Sequence, residues 1–186
     1  MIGLHHLESI CCAMDEECSF WCDDYPISIV AKGEFDVEPI WNQAIFLAFH
    51  KTGVIDSENY HQFIANLLAM NYVTIVWQAT TLVGAGKVAN WDSKAWPLKQ
   101  ALFVAGQAKM PTQVHAQLLE SFLKELRQSS CPVLLQSKII QACLNALDSL
   151  IVVQQVRRNL PGVFRIDFGS ENFVRRELDN WLRLRS

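Results

Sequence analysis

The sequence lacks any hydrophobic run long enough to cross a lipid bilayer, and its first residues do not predict a secretory leader. Glu8, Asp15, Glu16 and Glu17 interrupt the first residues before an apolar core of adequate length can form. We therefore expect a cytoplasmic protein without a membrane partner. In a reducing compartment its six cysteines should be free thiols rather than disulfides.

Closely paired zinc ligands are also missing. Four cysteines and two histidines crowd the first residues: Cys11, Cys12, Cys18, Cys22, His5 and His6. No spacing among these cysteines gives the Cys-x-x-Cys pair that structural zinc sites favour. Cys11 and Cys12 stand among apolar residues, where cysteine behaves as a small hydrophobic side chain. Buried thiols are therefore favoured over a zinc site.

Complete catalytic motifs are absent as well. No Gly-x-Ser-x-Gly elbow occurs, and no histidine has a glutamate at metalloprotease spacing. The glycine-rich stretch at residues 84–87 is similar to a phosphate-binding loop, but Thr81 replaces its first glycine. Val88 then follows the lysine, where such a loop needs a serine or threonine to reach magnesium. No motif supports a common hydrolase or P-loop class.

Composition and charge predict a packed globular chain. Of the 186 residues, 51% are hydrophobic and 19% charged, and the net charge of -3 gives no overall attraction to nucleic acid. From Arg157 onward, however, seven arginines face four carboxylates, which leaves a net charge of +3 there. The candidate binding surface consists of Arg157, Arg158, Arg175 and Arg176. A solvated helix face with local ion pairs is favoured over a surface for phosphate or an acidic partner.

The first forty residues read as alternating helices and strands. Apolar spacing predicts a helix over Gly3–Glu17, and the short aromatic run Ser19–Cys22 predicts a buried strand. A second helix is predicted over Tyr25–Lys32, ending at Gly33, and a second strand over Phe35–Val37. This order is the repeating unit of an open parallel sheet.

After Pro39, which suits a first helical turn, the pattern changes to helices. One helix should end near Gly53, and Asp56 should cap the next. Tyr72–Trp77 is strand-like and either returns to the sheet or lies as an extended connector. Further helices are predicted at Thr80–Val88, Ser93–Gly106, Thr112–Gln128, Pro132–Asn159 and Ser170–Leu184.

The fold class that follows is α/β and predominantly helical, with a small parallel sheet of two or three strands followed by a helical array. We place an α/β unit at residues 1–78 and a helical region packed on it at residues 79–186, without a clear linker. A sheet this small leaves an open edge. We expect the chain's own helices or a partner protein to cover that edge, and a homodimer is the economical solution.

The pair Asp23-Asp24 is the strongest site candidate, because it follows a buried strand and precedes a helix. Ligands of parallel sheets gather at such strand ends, and Mg²⁺ or Mn²⁺ requires oxygen ligands. Successive side chains of an extended segment point to opposite faces, so at most one of the two faces a pocket. The other should cap the helix over Tyr25–Lys32. Capping is favoured over metal binding for the pair.

The stretch from Leu7 to Trp77 resembles the C-terminal half of a PIN-like domain, which has the RNase-H-like nuclease fold. The resemblance rests on the turn Cys22-Asp23-Asp24 and on the segments Gly53–Tyr60 and Leu67–Tyr72. It implies a metal-dependent ribonuclease acting in RNA metabolism, with RNA as a partner and Mg²⁺ or Mn²⁺ as the metal.

The resemblance also implies which residues would be catalytic. Asp24, or else Asp23, matches the last acidic ligand, and the preceding helix offers Glu8, or His6, where the family has another acid. The first half of the family's fold, which carries further acids, has no counterpart here, so the acidic site is expected to be incomplete. The alternative is a non-catalytic helical protein–protein interaction module.

Overall fold

A computed structural model describes residues 4–72 and 75–185. Over these residues the chain is 71% helical, with ten helices and one two-stranded parallel sheet. The predicted class, a predominantly helical α/β protein with a small parallel sheet, is confirmed. In the same ranges no helix combines the length and the apolar character needed to cross a membrane.

The chain forms two compact units, which we call unit 1 and unit 2. Unit 1 comprises Met1–Tyr60 and Tyr72–Val76, and unit 2 comprises His61–Asn71 and Trp77–Ser186. Their charges are opposite: unit 1 has eleven Asp and Glu against two Lys, a net charge of -9, whereas unit 2 has fourteen Lys and Arg against eight Asp and Glu, a net charge of +6.

Unit 1 is built on a helix–strand repeat. Its elements are α1 (Leu4–Asp15), β1 (Phe20–Trp21), α2 (Tyr25–Phe35), β2 (Pro39–Ile40) and α3 (Asn42–Lys51). The two strands pair in parallel, with Phe20 opposite Pro39 and Trp21 opposite Ile40. The N–H of Cys22 donates to the Ile40 carbonyl at 2.9 Å, one residue beyond the end of β1.

A small core holds the elements of unit 1 together. Its buried side chains are Ile10 and Ala13 of α1, Phe20 of β1, Ile27 and Ala31 of α2, and Val37 before β2. The spacings of three and four residues place each helical pair on one face, which is the face turned to the sheet.

Two predictions at the end of α2 are wrong. The helix continues through Gly33 to Phe35, and Asp36 ends it in the left-handed region at φ 53° with its N–H on the Ala31 carbonyl. The second strand therefore begins at Pro39 instead of Phe35. Pro39, expected in a first helical turn, is tolerated in β2 because each strand of a two-stranded sheet is an edge strand.

The strand-like segment Tyr72–Trp77 lies in part outside the described residues, which exclude Val73 and Thr74. Residues 75–77 adopt neither helix nor strand. The buried side-chain amide of Gln43 donates to the Val76 carbonyl at 2.6 Å and accepts from the Val76 N–H at 2.8 Å. One amide thus gives this backbone both of the partners that a neighbouring strand would supply.

Unit 2 is helical throughout its described part. It contains most of α4 (Ser57–Ala69), then α5 (Ala79–Val88), α6 (Leu98–Gln107), α7 (Thr112–Gln128), α8 (Val133–Leu147), α9 (Leu150–Val163) and α10 (Phe168–Arg183). The closest helix pairs are α6 with α8 and α7 with α9, and α10 packs on both α8 and α9. Large buried side chains of these helices include Phe122, Leu126, Ile140, Leu144, Leu160 and Trp181.

The helices α4 and α7 confirm their sequence signals. Asp56 accepts the N–H of Asn59 at 2.7 Å and so caps α4, and α7 has the predicted bounds. The single helix predicted over Pro132–Asn159 is wrong, because Asp148 adopts a left-handed conformation at φ 45° and ends α8. Ser149 then caps α9 by accepting from the Val152 N–H at 3.5 Å.

Candidate functional site

A cleft in unit 1 lies where β1 and β2 end. It has a volume of about 570 Å³ and is lined by Cys22, Asp23, Tyr25, Ser28, Ile29, Lys32, Pro39 and Trp41. We call it the aromatic cleft. Tyr25, Ile29 and Lys32 lie on one face of α2, because their positions differ by four and three residues. The cleft occupies the strand-end position where the sequence predicts a site.

Asp23 lines the aromatic cleft but is held by α3. Its Oδ1 accepts the backbone N–H of Asn42 at 2.9 Å, and its Oδ2 accepts from the Asn42 side-chain amide. Trp41, the residue in the N-cap position of α3, makes no side-chain capping bond. Asp23 therefore serves as the cap of this helix from a position nineteen residues earlier.

Asp24 caps α2, as predicted for one member of the pair. Its Oδ1 accepts the N–H of Ile27 at 3.2 Å, and its backbone is extended, as N-cap residues require. Pro26 occupies the first turn of α2, where its missing N–H costs nothing. The two adjacent carboxylates thus begin two different helices.

Cys22 is the nucleophile candidate nearest to these carboxylates. Its thiol donates to the Asp24 carbonyl at 3.4 Å. Burial raises the pKa of the Cys22 thiol, and the negative charges of Asp24 and Asp23 raise it further. Because thiolates rather than thiols attack substrates, this side chain stays an unreactive polar contact near neutral pH.

Lys32 supplies the cation of the aromatic cleft. Its ammonium lies 3.0 Å from Asp36 and 2.9 Å from Glu38. Its hydrogen bonds to Glu38 and Asp36 raise the pKa of Lys32, which keeps it charged. Both charged side chains of the cleft therefore already have partners, and the surface left for a ligand is aromatic and aliphatic.

The acidic candidates of unit 1 are Glu8, Asp23 and Asp24. Glu8 is exposed on α1, and the carboxylates of Asp23 and Asp24 accept N–H donors from two helices. Within residues 4–72 and 75–185, no three His, Cys, Asp or Glu side chains come together as a metal ligand set. The catalytic and metal-binding roles of Glu8, Asp23 and Asp24 stay a prediction, tested below.

The structure places three of the four arginines of the candidate surface in ion pairs. Arg157 pairs with Asp179, Arg175 with Glu171 at 2.6 Å, and Arg176 with Glu177 at 3.4 Å. Arg158 is exposed and has no ion-pair partner among the described residues. The geometry is that of a solvated helix face with local pairs. A binding role for these arginines stays a prediction.

Tyr25, Ile29 and Trp41 line the aromatic cleft, and no sequence motif predicts them as site residues. They are 58%, 53% and 40% exposed. A signal for two of them exists: α2 buries Ile27 and Ala31, so Tyr25 and Ile29 lie on its opposite face. Apolar residues on two faces of a helix indicate that the second face also has a packing partner.

The expected burial of the clustered cysteines is wrong for Cys12 and Cys18, which are exposed, whereas Cys11 and Cys22 are half-buried.

Comparison with protein-family models, curated proteins and solved structures finds no match for this chain. Its function is therefore argued from geometry and charge.

Proposed function

We propose that unit 1 is a non-catalytic interaction module whose aromatic cleft binds an apolar segment, flanked by Lys or Arg, of a partner protein. The observation that carries this proposal is the state of the cleft's side chains. Asp23 and Lys32 are engaged with neighbouring groups, and Cys22 is a protonated thiol, while Tyr25 and Trp41 stand open to solvent.

The apolar surface around the cleft suits protein recognition. Trp21 of β1, 65% exposed, is a further large aromatic side chain at the surface of unit 1. Tryptophan and tyrosine are enriched among the residues that dominate binding energy in protein interfaces, because they bury much area at low entropic cost. A volume near 570 Å³ accommodates one or two apolar side chains.

The charge of unit 1 selects the flanks of the partner segment. With eleven carboxylates against two lysines, unit 1 attracts cations and repels polyanions. The same charge disfavours a homodimer in which two copies of the cleft face each other, since like charges would be brought together. A basic segment of another protein is the occupant that this charge favours.

The experiment uses two fluorescein-labelled peptides with the same Leu-Trp-Leu core, one flanked by lysines and the other by glutamates. The lysine-flanked peptide should bind the full chain in fluorescence anisotropy, and added salt should weaken that binding. Trp41→Ala and, separately, Ile29→Ala should weaken it by about tenfold or more. Phe103→Ala, which truncates a 53% exposed aromatic residue of unit 2, should leave it unchanged.

Equal binding of both peptides, or equal binding to the chain and to both cleft variants, would overturn the proposal. Sedimentation provides a second check. A dimer that dissociates on Trp41→Ala would assign the cleft to a second copy of this chain instead of a basic partner. Circular dichroism of each variant verifies that the helices remain folded.

A PIN-related ribonuclease is the second proposal. It is supported by the order α1-β1-α2-β2-α3, by the parallel pairing of the strands, and by Asp23 at the end of β1 in the aromatic cleft. Asp24 and Glu8 would be its other acids. The capping bonds of the two aspartates leave this proposal behind the first.

Substitution of Asp24 separates capping from metal binding. Asp24→Asn should leave stability nearly unchanged because asparagine caps as well as aspartate, whereas Asp24→Ala should cost about 1 kcal/mol. Thermal melting with and without millimolar Mn²⁺ or Mg²⁺ should show no shift for either variant or the parent chain. A manganese-dependent stabilisation that Asp24→Asn removes would instead place the nuclease proposal first.

A further inference from the structure

A second cavity, in unit 2, carries unpaired positive charge. It lies between the C-terminal part of α7 and the turn that joins α9 to α10, and it has a volume of about 510 Å³. Its lining is Lys124, Arg127 and Gln128 of α7 and residues 162–167, which comprise the last two residues of α9 and the turn after it. We call it the basic pocket. Its size lies within the range of small-molecule sites, roughly 300–1,000 Å³.

Lys124 and Arg165 approach the basic pocket from its two sides. Both are exposed, and neither has an ion pair or a side-chain hydrogen bond to another described residue. This differs from Arg157, Arg175 and Arg176, each of which has a carboxylate partner. Two cations thus line one cavity without a protein counter-charge of their own.

Arg127 is the third cation of the basic pocket, and the protein fixes its position. Its Nε donates to Ser170 Oγ at 3.0 Å, its Nη1 donates to Gln136, and its guanidinium lies 4.6 Å from the ring centre of Phe173. The side chains that accept these hydrogen bonds are neutral, so no hydrogen-bonded carboxylate neutralises the guanidinium. A fixed guanidinium loses little entropy when it binds an anion.

Asp167 is the one carboxylate lining the basic pocket, and it is used by α10. Its Oδ1 accepts the backbone N–H of Ser170 at 2.9 Å as the N-cap. Hydrogen bonds from Ser170, together with the charge of Arg127, lower the pKa of Asp167. Even counted at full charge, Asp167 leaves the three cations with an excess of +2.

We infer that the basic pocket binds a small organic phosphate: a phosphate monoester held by Lys124, Arg165 and Arg127, with a ring-bearing group against the turn. Lysine and arginine are the residues that bind phosphate, the arginine with two parallel hydrogen bonds. Of the apolar lining residues, Ile166 is 95% exposed and Val163 is half-buried, and these two offer the ring-bearing group an apolar surface. This site is in unit 2 and is independent of the aromatic cleft.

The test is isothermal titration calorimetry of the full chain with three probes: adenosine monophosphate, adenosine and inorganic phosphate. The monophosphate should bind, inorganic phosphate should bind more weakly and compete with it, and adenosine should not bind. Lys124→Gln combined with Arg165→Gln should weaken monophosphate binding by roughly tenfold per charge removed. Both side chains are exposed, so the helices should keep their stability.

The matched control is Lys94→Gln combined with Lys138→Gln, which removes the same charge from exposed positions of unit 2 outside the pocket. It should keep the affinity of the parent chain. Equal weakening of monophosphate binding in the control would show that the net charge of +6 on unit 2 attracts the ligand in general. That result would overturn the assignment of the binding site to the basic pocket. Adenosine binding as tightly as its monophosphate, or no binding of the monophosphate, would overturn the phosphate assignment.

Discussion

Truncation of Trp181 to alanine is expected to lower the free energy of unfolding by about 3–5 kcal/mol. Trp181 is 2% exposed on α10, and its indole N–H donates to Asn145 Oδ1 of α8 at 2.9 Å. Arg185 covers the ring at 4.5 Å and pairs with Asp148 at the end of α8. The substitution therefore opens a cavity and also removes the indole hydrogen bond between α10 and α8. Urea unfolding followed by far-UV circular dichroism measures the loss.

Two further variants interpret this loss: one removes the indole N–H and keeps an aromatic ring, and the other is an exposed control. Trp181→Phe keeps much of the buried ring and removes the indole N–H. It should cost about 1 kcal/mol, since the Asn145 oxygen loses one of its two donors and keeps the other, Arg185 Nη2 at 3.2 Å. Leu134→Ala truncates a residue of α8 that is 84% exposed and should change stability by less than about 0.5 kcal/mol. Comparable losses in Trp181→Ala and Leu134→Ala would contradict the packing of α10 on α8.

The long helices of unit 2 could be predicted because their signals are local. In α7 the apolar residues Ala116, Leu119, Phe122, Leu123 and Leu126 recur at helical spacing and are all buried. Pro111 before the helix and the polar residues after it mark its ends within the sequence itself. These signals involve residues at most four positions apart. Contacts with the rest of the chain therefore do not change the predicted bounds of α7 or its buried face.

The wrong boundaries arise where a local signal competes with contacts made elsewhere. Gly33 favours a helix end, but Asp36, three residues later, adopts the left-handed cap, and Lys32 forms an ion pair with Asp36 across one turn. The position of β2 depends on pairing with β1, a contact that no periodicity within two residues reveals. Asp148-Ser149 interrupts an apolar pattern that continues on both sides, so periodicity alone joins α8 to α9.

The site shows the same limit. The cap that Asp24 forms on α2 spans three residues and was predictable, whereas the bond from Asn42 to Asp23 spans nineteen. The basic pocket is harder to predict from sequence, because Lys124 belongs to α7 and Arg165 to the turn after α9. The sequence predicts that the acidic pair follows a strand. Only the fold shows that Asp23 and Asp24 accept hydrogen bonds from the first turns of two different helices.

The opposite charges of the two units assign them opposite kinds of ligand. Unit 1, at -9, should recruit cationic groups to an apolar cleft, and unit 2, at +6, should recruit anions to a pocket with unpaired cations. Salt should weaken both interactions, since both depend on charge at the surface. Trp41→Ala should spare monophosphate binding, and the Lys124, Arg165 double variant should spare peptide binding.

Replacing Gly106 by alanine is expected to destabilise the chain by about 1–3 kcal/mol, although alanine is the better helix former. A Cβ on Gly106 of α6 would lie 2.4 Å from both the carbonyl carbon and oxygen of Ala146 and 2.7 Å from the Leu147 nitrogen. These are backbone atoms of α8, so a side-chain rotation cannot relieve the contact. The Gln107 amide also donates to the Ala146 carbonyl at 3.2 Å, which holds the two helices at this distance.

Gly162→Ala supplies the matched control, because Gly162 lies in α9 of the same unit and a Cβ there would meet nothing within 4 Å. Because this Cβ makes no close contact, Gly162→Ala should raise the free energy of unfolding by about 0.5–1 kcal/mol through the helix propensity of alanine. The two variants share one chemical change, so their difference in urea unfolding isolates the approach of α6 to α8. If Gly106→Ala stabilised the chain as Gly162→Ala does, α6 and α8 would not be in backbone contact.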